Sequence, residues 1–458
     1  MLRQLARSKA EVGILFPVPV PDSFEHVKEA GMPNKKFLLA ALVAISGFLF
    51  APRPASAADQ EKVLYAFDGG ADGISPSGTL VFDAVGNLYG TTVNGGDYRC
   101  ELYMGCGTVF KLQPAEQGTW SKTILHSFEG QDGAYPSAGL IFDAAGNLYG
   151  TTISGGTKGS GTVFKLAPGG HGEWTETVLH DFDNWDGEAP AASLIFDKSG
   201  NLYGTTREGG RYDSGIVFKL ATAANGEWTE TVLHTFNGKD GSDPLGALTF
   251  DSAGNLYGTT VGAYDTDCSG SACGNVFKLA PATDGKWTET VLHSFGGRGG
   301  SGPGSALVLD RAGNLYGTTT SGGNLKTCSG DGCGTVFQLI PSANGKWTEK
   351  VLHTFNGRTD GSFPYAGLIF DAAGNLYGAT WYGGVVFELF PDKDGKWTET
   401  VLDAFSGKDG WFPYAGLIFD ASGNLYGTTQ LGGKLKKCDG EYGKGCGVVF
   451  EITEERQP

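Results

Sequence analysis

No stretch of this chain has the roughly 20 consecutive apolar residues that a membrane-spanning helix needs. The longest apolar run, Phe37 to Phe50, stops at 14 residues. Basic residues are scarce: 34 Lys and Arg stand against 50 Asp and Glu, a net charge of −16. So acidic a surface repels phosphate backbones, which argues against a nucleic-acid partner. The 75 glycines follow no G-X-Y period, which excludes collagen and favours turn-rich β structure. No cysteine couple has CxxC spacing and no histidine lies near one, so a zinc site is disfavoured. P-loop and GxSxG motifs are absent. Gly297, Gly299 and Gly302 match GxGxxG only in letters, with no strand-helix unit around them.

From Met32 the chain reads MPNKKFLLAALVAISGFLFAPRPASA. Two lysines, an apolar run and the small-x-small Ala55-Ser56-Ala57 form a secretory signal over residues 32–57, with Ala58 as the mature start. Residues 1–31 read as a misassigned upstream start, and residues 58–458 as the folded domain. The leading 57 residues hold 7 Lys/Arg and 4 Asp/Glu; without them 27 remain against 46, a net charge of −19. A secreted, periplasmic or cell-surface protein with no membrane span in its mature chain is expected.

What is abundant is repetition. GNLYG begins at Gly86, Gly146, Gly200, Gly254, Gly313, Gly374 and Gly423, about 56 residues apart. Each unit runs in one order: GLIFD, a turn (AAGN), NLYGTT, a variable Gly-rich loop, GTVFKL, a Pro/Gly turn, WTETVLHDF, and a DGxxP crossing to the next copy. Four short β runs bounded by turn residues are the pattern of a propeller blade. In FDxxGN the Asp accepts backbone hydrogen bonds and Gly supplies positive φ, so the seven aspartates (Asp83, Asp143, Asp197, Asp251, Asp310, Asp371, Asp420) read as turn residues rather than metal ligands.

The last unit has only three runs, and the missing fourth sits at the other end, where KVLYAF (62–67) matches KVLHTF (350–355). Pairing them closes a ring and removes the edges an open array would expose. The expected fold is therefore all-β: a seven-bladed propeller of four antiparallel strands per blade, its ring closed by residues 62–67.

The combination of VLHxF, DGxxP, GLIFDxxGNLYGTT, a GG loop and GTVFKL resembles the GloVer (Gloeobacter/Verrucomicrobia) tandem-repeat family of secreted bacterial proteins over residues 61 to 452 and, more loosely, NHL-type propeller repeats. The resemblance implies export. Family members commonly carry a C-terminal surface anchor, whereas only TEERQP follows Ile452 here, so attachment to the cell is not implied. No family activity carries over.

Eight cysteines fall into four local couples, Cys100 with Cys106, Cys268 with Cys273, Cys328 with Cys333, and Cys438 with Cys446. Their even count, local spacing and the export signal argue for four disulfides. Each couple lies in the loop between the second and third runs, on the same end of the ring as the crossings. Variable, stapled loops mark that face as the working one.

Five histidines at one repeat position (His126, His180, His234, His293, His353) lie on outermost strands, roughly 14 Å farther out than the inner ones, and so read as structural. The crossing aspartates (Asp72, Asp132, Asp186, Asp240, Asp360, Asp409) read as Asx turns; turned toward the axis, they could hold a cation. Asp265–Gly270 opens like a calcium loop, but Val276 stands where the bidentate Glu belongs. No cofactor is expected, and calcium is the one cation considered. Six tryptophans open the fourth run and read as inter-blade packing. Trp185, Trp381, Tyr382, Trp411 and Phe412 break the repeat and are the candidate ligand-binding residues, four of them converging between blades 6 and 7. Their rings suit sugar faces and peptide side chains. The expected function is an exported binding or scaffold module, a monomer with a glycan or protein ligand. The alternative is a polysaccharide lyase or glycosidase built from off-repeat acids (Asp97, Glu101, Asp183, Glu188, Glu208, Asp213, Asp243), which would need a close carboxylate pair with one buried member.

Overall fold

The computed structural model describes residues 60–96, 100, 104–262, 273–438 and 444–453. The signal segment 32–57, residues 1–31, Asp97, Glu101 and the Asp265–Gly270 loop with Cys268 lie outside the described residues. Among those described, no helix is long and apolar enough to cross a membrane.

Seven antiparallel sheets follow the seven repeats. Blade 2 shows the pattern, with strands Ile141–Phe142, Leu148–Thr152, Thr162–Pro168 and Trp174–Asp181. The GLIFD run supplies only a two-residue strand because its first half serves the neighbouring blade. Leu140 is buried, and the Gly139 amide donates to Ser193 Oγ of blade 3 at 2.9 Å. Blade 1 has an extra pairing, Ile74–Pro76 on the end of Leu88–Asn94, and single bridges such as Ala134↔Ser154 mark the same place elsewhere.

The FDxxGN turn is locked by its aspartate. Asp143 Oδ1 accepts the amides of Ala145 and Asn147 at 2.9 Å, and Oδ2 accepts Asn147 Nδ2 at 2.7 Å and the Tyr149 hydroxyl at 3.0 Å. Gly146, at φ 82°, closes it. The same arrangement recurs at the other six aspartates, so the carboxylates are saturated by their own turns. Burial raises the Asp143 pKa, but these donors outweigh it and hold the acid below its ordinary value. Burial, followed by the bond to Asp143, pushes the Tyr149 phenol far up.

Blades bind each other through aromatic layers. The Phe of each VLHxF segment packs edge-on against the third-strand Phe of the next blade, as Phe128 on Phe164 at 5.1 Å. That ring lies across the neighbouring second strand, where Gly150 stands: a Cβ there would meet Phe164 Cζ at 2.6 Å. The third glycyl position of GNLYG is thus a packing requirement. Each Tyr of the motif reaches the following blade, with Tyr89 against Phe142 at 5.1 Å and Trp174 at 6.2 Å. The tryptophans that open the fourth run are inter-blade packing, as their position implied.

The ring closes as the termini require. Gln60–Ala66 pairs antiparallel with Val448–Thr453 and completes the last blade. Phe67 then packs on Phe110 at 5.3 Å, carrying the aromatic layer across the seam. Here alone the outer strand of the following blade offers a lysine where the repeat has Glu. The buried Lys122 Nζ bonds Asp72 Oδ1 at 2.9 Å and the Asp72 carbonyl, and Tyr65 donates its hydroxyl to the same carboxylate at 2.8 Å.

Deleting residues 58–67 should lower the melting temperature sharply, and an unchanged transition would contradict closure by this strand. Lys122→Met should cost about 3 kcal/mol because Asp72 keeps a partly buried charge without its cation. Lys198→Met, on the surface, should shift stability by less than about 0.5 kcal/mol in denaturant titration.

Candidate functional site

The DGxxP crossings and the second-to-third-strand loops share one end of the ring. In all seven crossings the residue before Pro is left-handed: Ser75, Tyr135, Ala189, Asp243, Gly302, Phe363 and Phe412, φ 55° to 66°. For the six that are not glycine this conformation costs about 1 kcal/mol each. It is held by a bond to the loop below: Tyr135 N–H donates to Cys106 O at 2.8 Å, Phe363 to Cys333 O at 2.9 Å, and Ser75 to Cys446 O at 3.0 Å. Ser160 and Ser214 do the same for Ala189 and Asp243. The second cysteine of a couple thus sits at the base of a crossing. Bonds 100–106, 328–333 and 438–446 are formed with Cα separations of 5.3–5.4 Å, and Cys273 is disulfide-bonded too, while Cys268 lies outside the described residues. The sulfurs press on the crossings: a Cβ on Gly69 would meet Cys438 Sγ at 2.7 Å, and one on Gly357 would meet Cys328 Sγ at 2.8 Å.

Between blades 6 and 7 the structure brings Trp381, Tyr382, Trp411 and Phe412 together. Phe412 stacks on Trp381 at 4.8 Å, Trp411 on Phe412 at 5.0 Å, and Tyr382 lies parallel to Phe412 at 6.5 Å. Two members are interior, Trp381 and Phe412 being 8% and 5% exposed, and two are outward, Trp411 at 37% and Tyr382 at 44%. The inner pair therefore fills the groove and the outer pair forms a ledge. Two residues that sequence reading passed over extend it toward the axis. Tyr365 meets Trp381 edge-on at 6.1 Å and stacks with Tyr414 at 5.3 Å. Both follow the proline of a crossing, where other blades carry Ser, Ala, Leu or Gly, and that contrast was the readable clue. Trp185 is 78% exposed in the crossing from blade 2 to blade 3 and does not join them.

Opposite the ledge stands an ion pair that sequence reading also missed. Arg207 follows the second strand of blade 3. Its Nε and Nη2 bind Asp243 Oδ1 and Oδ2 at 2.6 and 3.1 Å, with side chains 21% and 32% exposed. Although Tyr414 belongs to blade 7, burial raises its phenol pKa to about 12 against the opposing pull of Arg207, which places the guanidinium beside it across the mouth. The off-repeat acids supply no close pair with a buried member among the described residues. Asp183, Glu208 and Asp213 are exposed, Glu188 accepts a bond from Asn184 Nδ2, and Asp243 is engaged by Arg207.

The repeated histidines and crossing aspartates do not converge on the axis. His126 Nε2 pairs with Asp132 at 2.8 Å, His180 with Asp186 at 3.2 Å, His234 with Asp240 at 3.3 Å, and His353 with Asp360 at 3.2 Å. The reading of these aspartates as axial cation ligands is thereby corrected: each is turned outward by its histidine and by an amide such as Glu129 N. A Glu of the next blade's outer strand completes each junction, and its recurrence in WTET was the overlooked signal. Where Gly299 replaces the aspartate, Glu349 reaches His293 at 3.4 Å, and its Oε2 lies 2.6 Å from where a Gly299 Cβ would be. Burial, opposed by His126 and reinforced by Asp132, raises Glu176 to about 7. Burial does the same to Glu230, opposed by His180 and reinforced by Asp186, and to Glu289, reinforced by Asp240. Glu61 is raised to about 7 by burial and then by Asp403 and Asp409. Among the described residues no group of three His, Cys, Asp or Glu could hold a metal ion.

The profile of the Gloeobacter/Verrucomicrobia repeat matches residues 44–195, 101–330 and 325–457, in agreement with the motifs. No curated protein matches the chain. Among solved structures, an extracellular domain assigned to a one-component system of B. thetaiotaomicron is 11% identical over 85% of this chain, with a TM-score of 0.49; this chain spans 40% of that protein's length. A protein from Lactobacillus plantarum is 17% identical over 76% of this chain and 95% of its own, with a TM-score of 0.48. Likenesses at this level carry no argument about activity.

The junctions predict a pH profile. Glu61, Glu176, Glu230 and Glu289 have pKa values raised above the ordinary 4.5, so their contribution is complete below 4.5 and is lost as pH rises through about 7. Asp72, Asp132 and Asp186 are lowered by donors that outweigh burial, and their contribution is lost as pH falls through those lowered values. His234, lowered by burial, likewise contributes above 6.5 and loses that contribution as pH falls through its lowered value. The melting temperature should peak between about pH 5 and 6 and decline toward about pH 8.5. The triple variant Glu176→Gln, Glu230→Gln, Glu289→Gln should flatten that decline. A wild-type profile with no alkaline fall would contradict this. Separately, non-reducing mass spectrometry should find all eight cysteines unlabelled by a thiol reagent.

Proposed function

The chain belongs to the Gloeobacter/Verrucomicrobia repeat family, and on that premise we propose that it is an exported binding propeller whose ledge between blades 6 and 7 takes a carbohydrate ligand. In this reading residues 32–57 direct export, residues 58–458 are the mature monomeric domain, and the protein acts in the periplasm or at the cell surface. The observation that carries it is the pair of outward rings, Trp411 and Tyr382, held on the buried Trp381 and Phe412. Rings braced in this way lose little entropy on binding and offer a flat apolar face to the C–H side of a sugar. The disulfides and the rigid crossings around them support the same reading, because binding residues on loops need a stiff scaffold. The absence of a close carboxylate pair with a buried member among the described off-repeat acids favours binding over hydrolysis.

A glycan array probed with protein expressed from the full-length sequence, with and without calcium, tests this. Binding that falls at least ten-fold in Trp411→Ala is expected. Binding retained in that variant, or no binding by the wild type, would remove the carbohydrate reading and leave the rings as groove filling.

A further inference from the structure

The geometry points to a second, polar half of this site, in which the Arg207–Asp243 pair of blade 3 holds two adjacent hydroxyls of a neutral pyranose whose face lies on the ledge of blades 6 and 7. This rests on the carbohydrate reading and specifies its ligand class.

Arg207 spends Nε–H and one Nη2–H on Asp243. Its Nη1–H2 and remaining Nη2–H have no protein partner among the described residues, and the Asp243 oxygens keep spare lone pairs. The pair is held still by its bidentate geometry and by Asp243's left-handed backbone, whose amide donates to Ser214 O at 3.2 Å. A fixed donor beside a fixed acceptor, with no net charge, matches a vicinal diol, in which each hydroxyl both donates and accepts. Arg207 is close to Tyr414, which stacks on Tyr365, which meets Trp381, so the polar pair and the ledge are one continuous surface across the mouth.

Space and charge narrow the ligand further. The crossing from blade 4 to blade 5 reads Gly302-Pro303-Gly304 where the next two read Phe363-Pro364-Tyr365 and Phe412-Pro413-Tyr414. The mouth is thus bare on one side. A Cβ on Gly304 would meet only Leu245 and Val261, each at an ordinary 3.4 Å. The same blade that offers the pair exposes Glu208 and Asp213, and the chain carries −16 overall, so uronates and sulfated sugars are repelled.

The test uses protein expressed from the full-length sequence and titration calorimetry with neutral gluco-, manno-, galacto- and xylo-oligosaccharides and with oligogalacturonate. The double variant Arg207→Met/Asp243→Asn removes the polar half without leaving a lone charge, and Asn tolerates the left-handed backbone. Gly304→Tyr fills the bare side without touching the pair. Expected are binding of a neutral oligosaccharide, a loss of at least ten-fold in the double variant, and loss in Gly304→Tyr at unchanged melting temperature. If Trp411→Ala loses binding but the double variant does not, the ledge reading stands and this inference falls. Where the double variant loses binding and Trp411→Ala does not, the polar half stands and the ledge reading falls. Preference for oligogalacturonate, or full binding by Gly304→Tyr, overturns the inference.

Discussion

Phe67 against Phe110 is the contact at which the ring becomes a ring. Every other Phe–Phe layer joins blades that are already covalent neighbours, whereas this one joins the two ends of the folded domain through a strand borrowed from the N-terminus. A single four-stranded blade buries too little surface to stand alone, and an open array would leave two apolar faces and two strand edges in water. The mouth on the loop face exists only because of that closure, since its walls come from blades nearly opposite one another. Arg207 and Tyr414, 207 residues apart in sequence, face each other because the circle is complete.

The seven junctions show how a repeat tolerates change. The outer position holds His five times, the crossing Asp six times and the next outer strand Glu six times, and the departures are compensated in two cases. Glu349 moves into the place left by Gly299, and Lys122 neutralises Asp72 where Tyr65 has replaced the basic ring. At the third departure, Asp403 joins Asp409 and Glu61, and the cost is visible as a carboxyl raised to about 7. These are matters of stability. Departures on the loop face have no such compensation: rings at 381, 382, 411 and 412, bare glycines at 302 and 304, and a lone Arg–Asp pair at 207 and 243. Asymmetry that packing does not require is where a ligand can be told from a scaffold.

Blade number, strand order, the closing segment, the turn role of the seven aspartates and the cysteine couples were all legible in the linear chain. Each rests on a relation that recurs at short range or at a constant 56-residue step, and repetition makes a local rule readable seven times over. The meeting of Trp381, Tyr382, Trp411 and Phe412 was legible for the same reason, because known blade topology places neighbouring loops side by side. Out of reach were the Glu that completes each His–Asp junction, the depth at which Trp381 and Phe412 are buried while Trp411 and Tyr382 stay outside, and the approach of Arg207 to Tyr414. Those depend on how far each strand leans on its neighbour and on which side chains meet across the axis, distances that no spacing along the chain encodes.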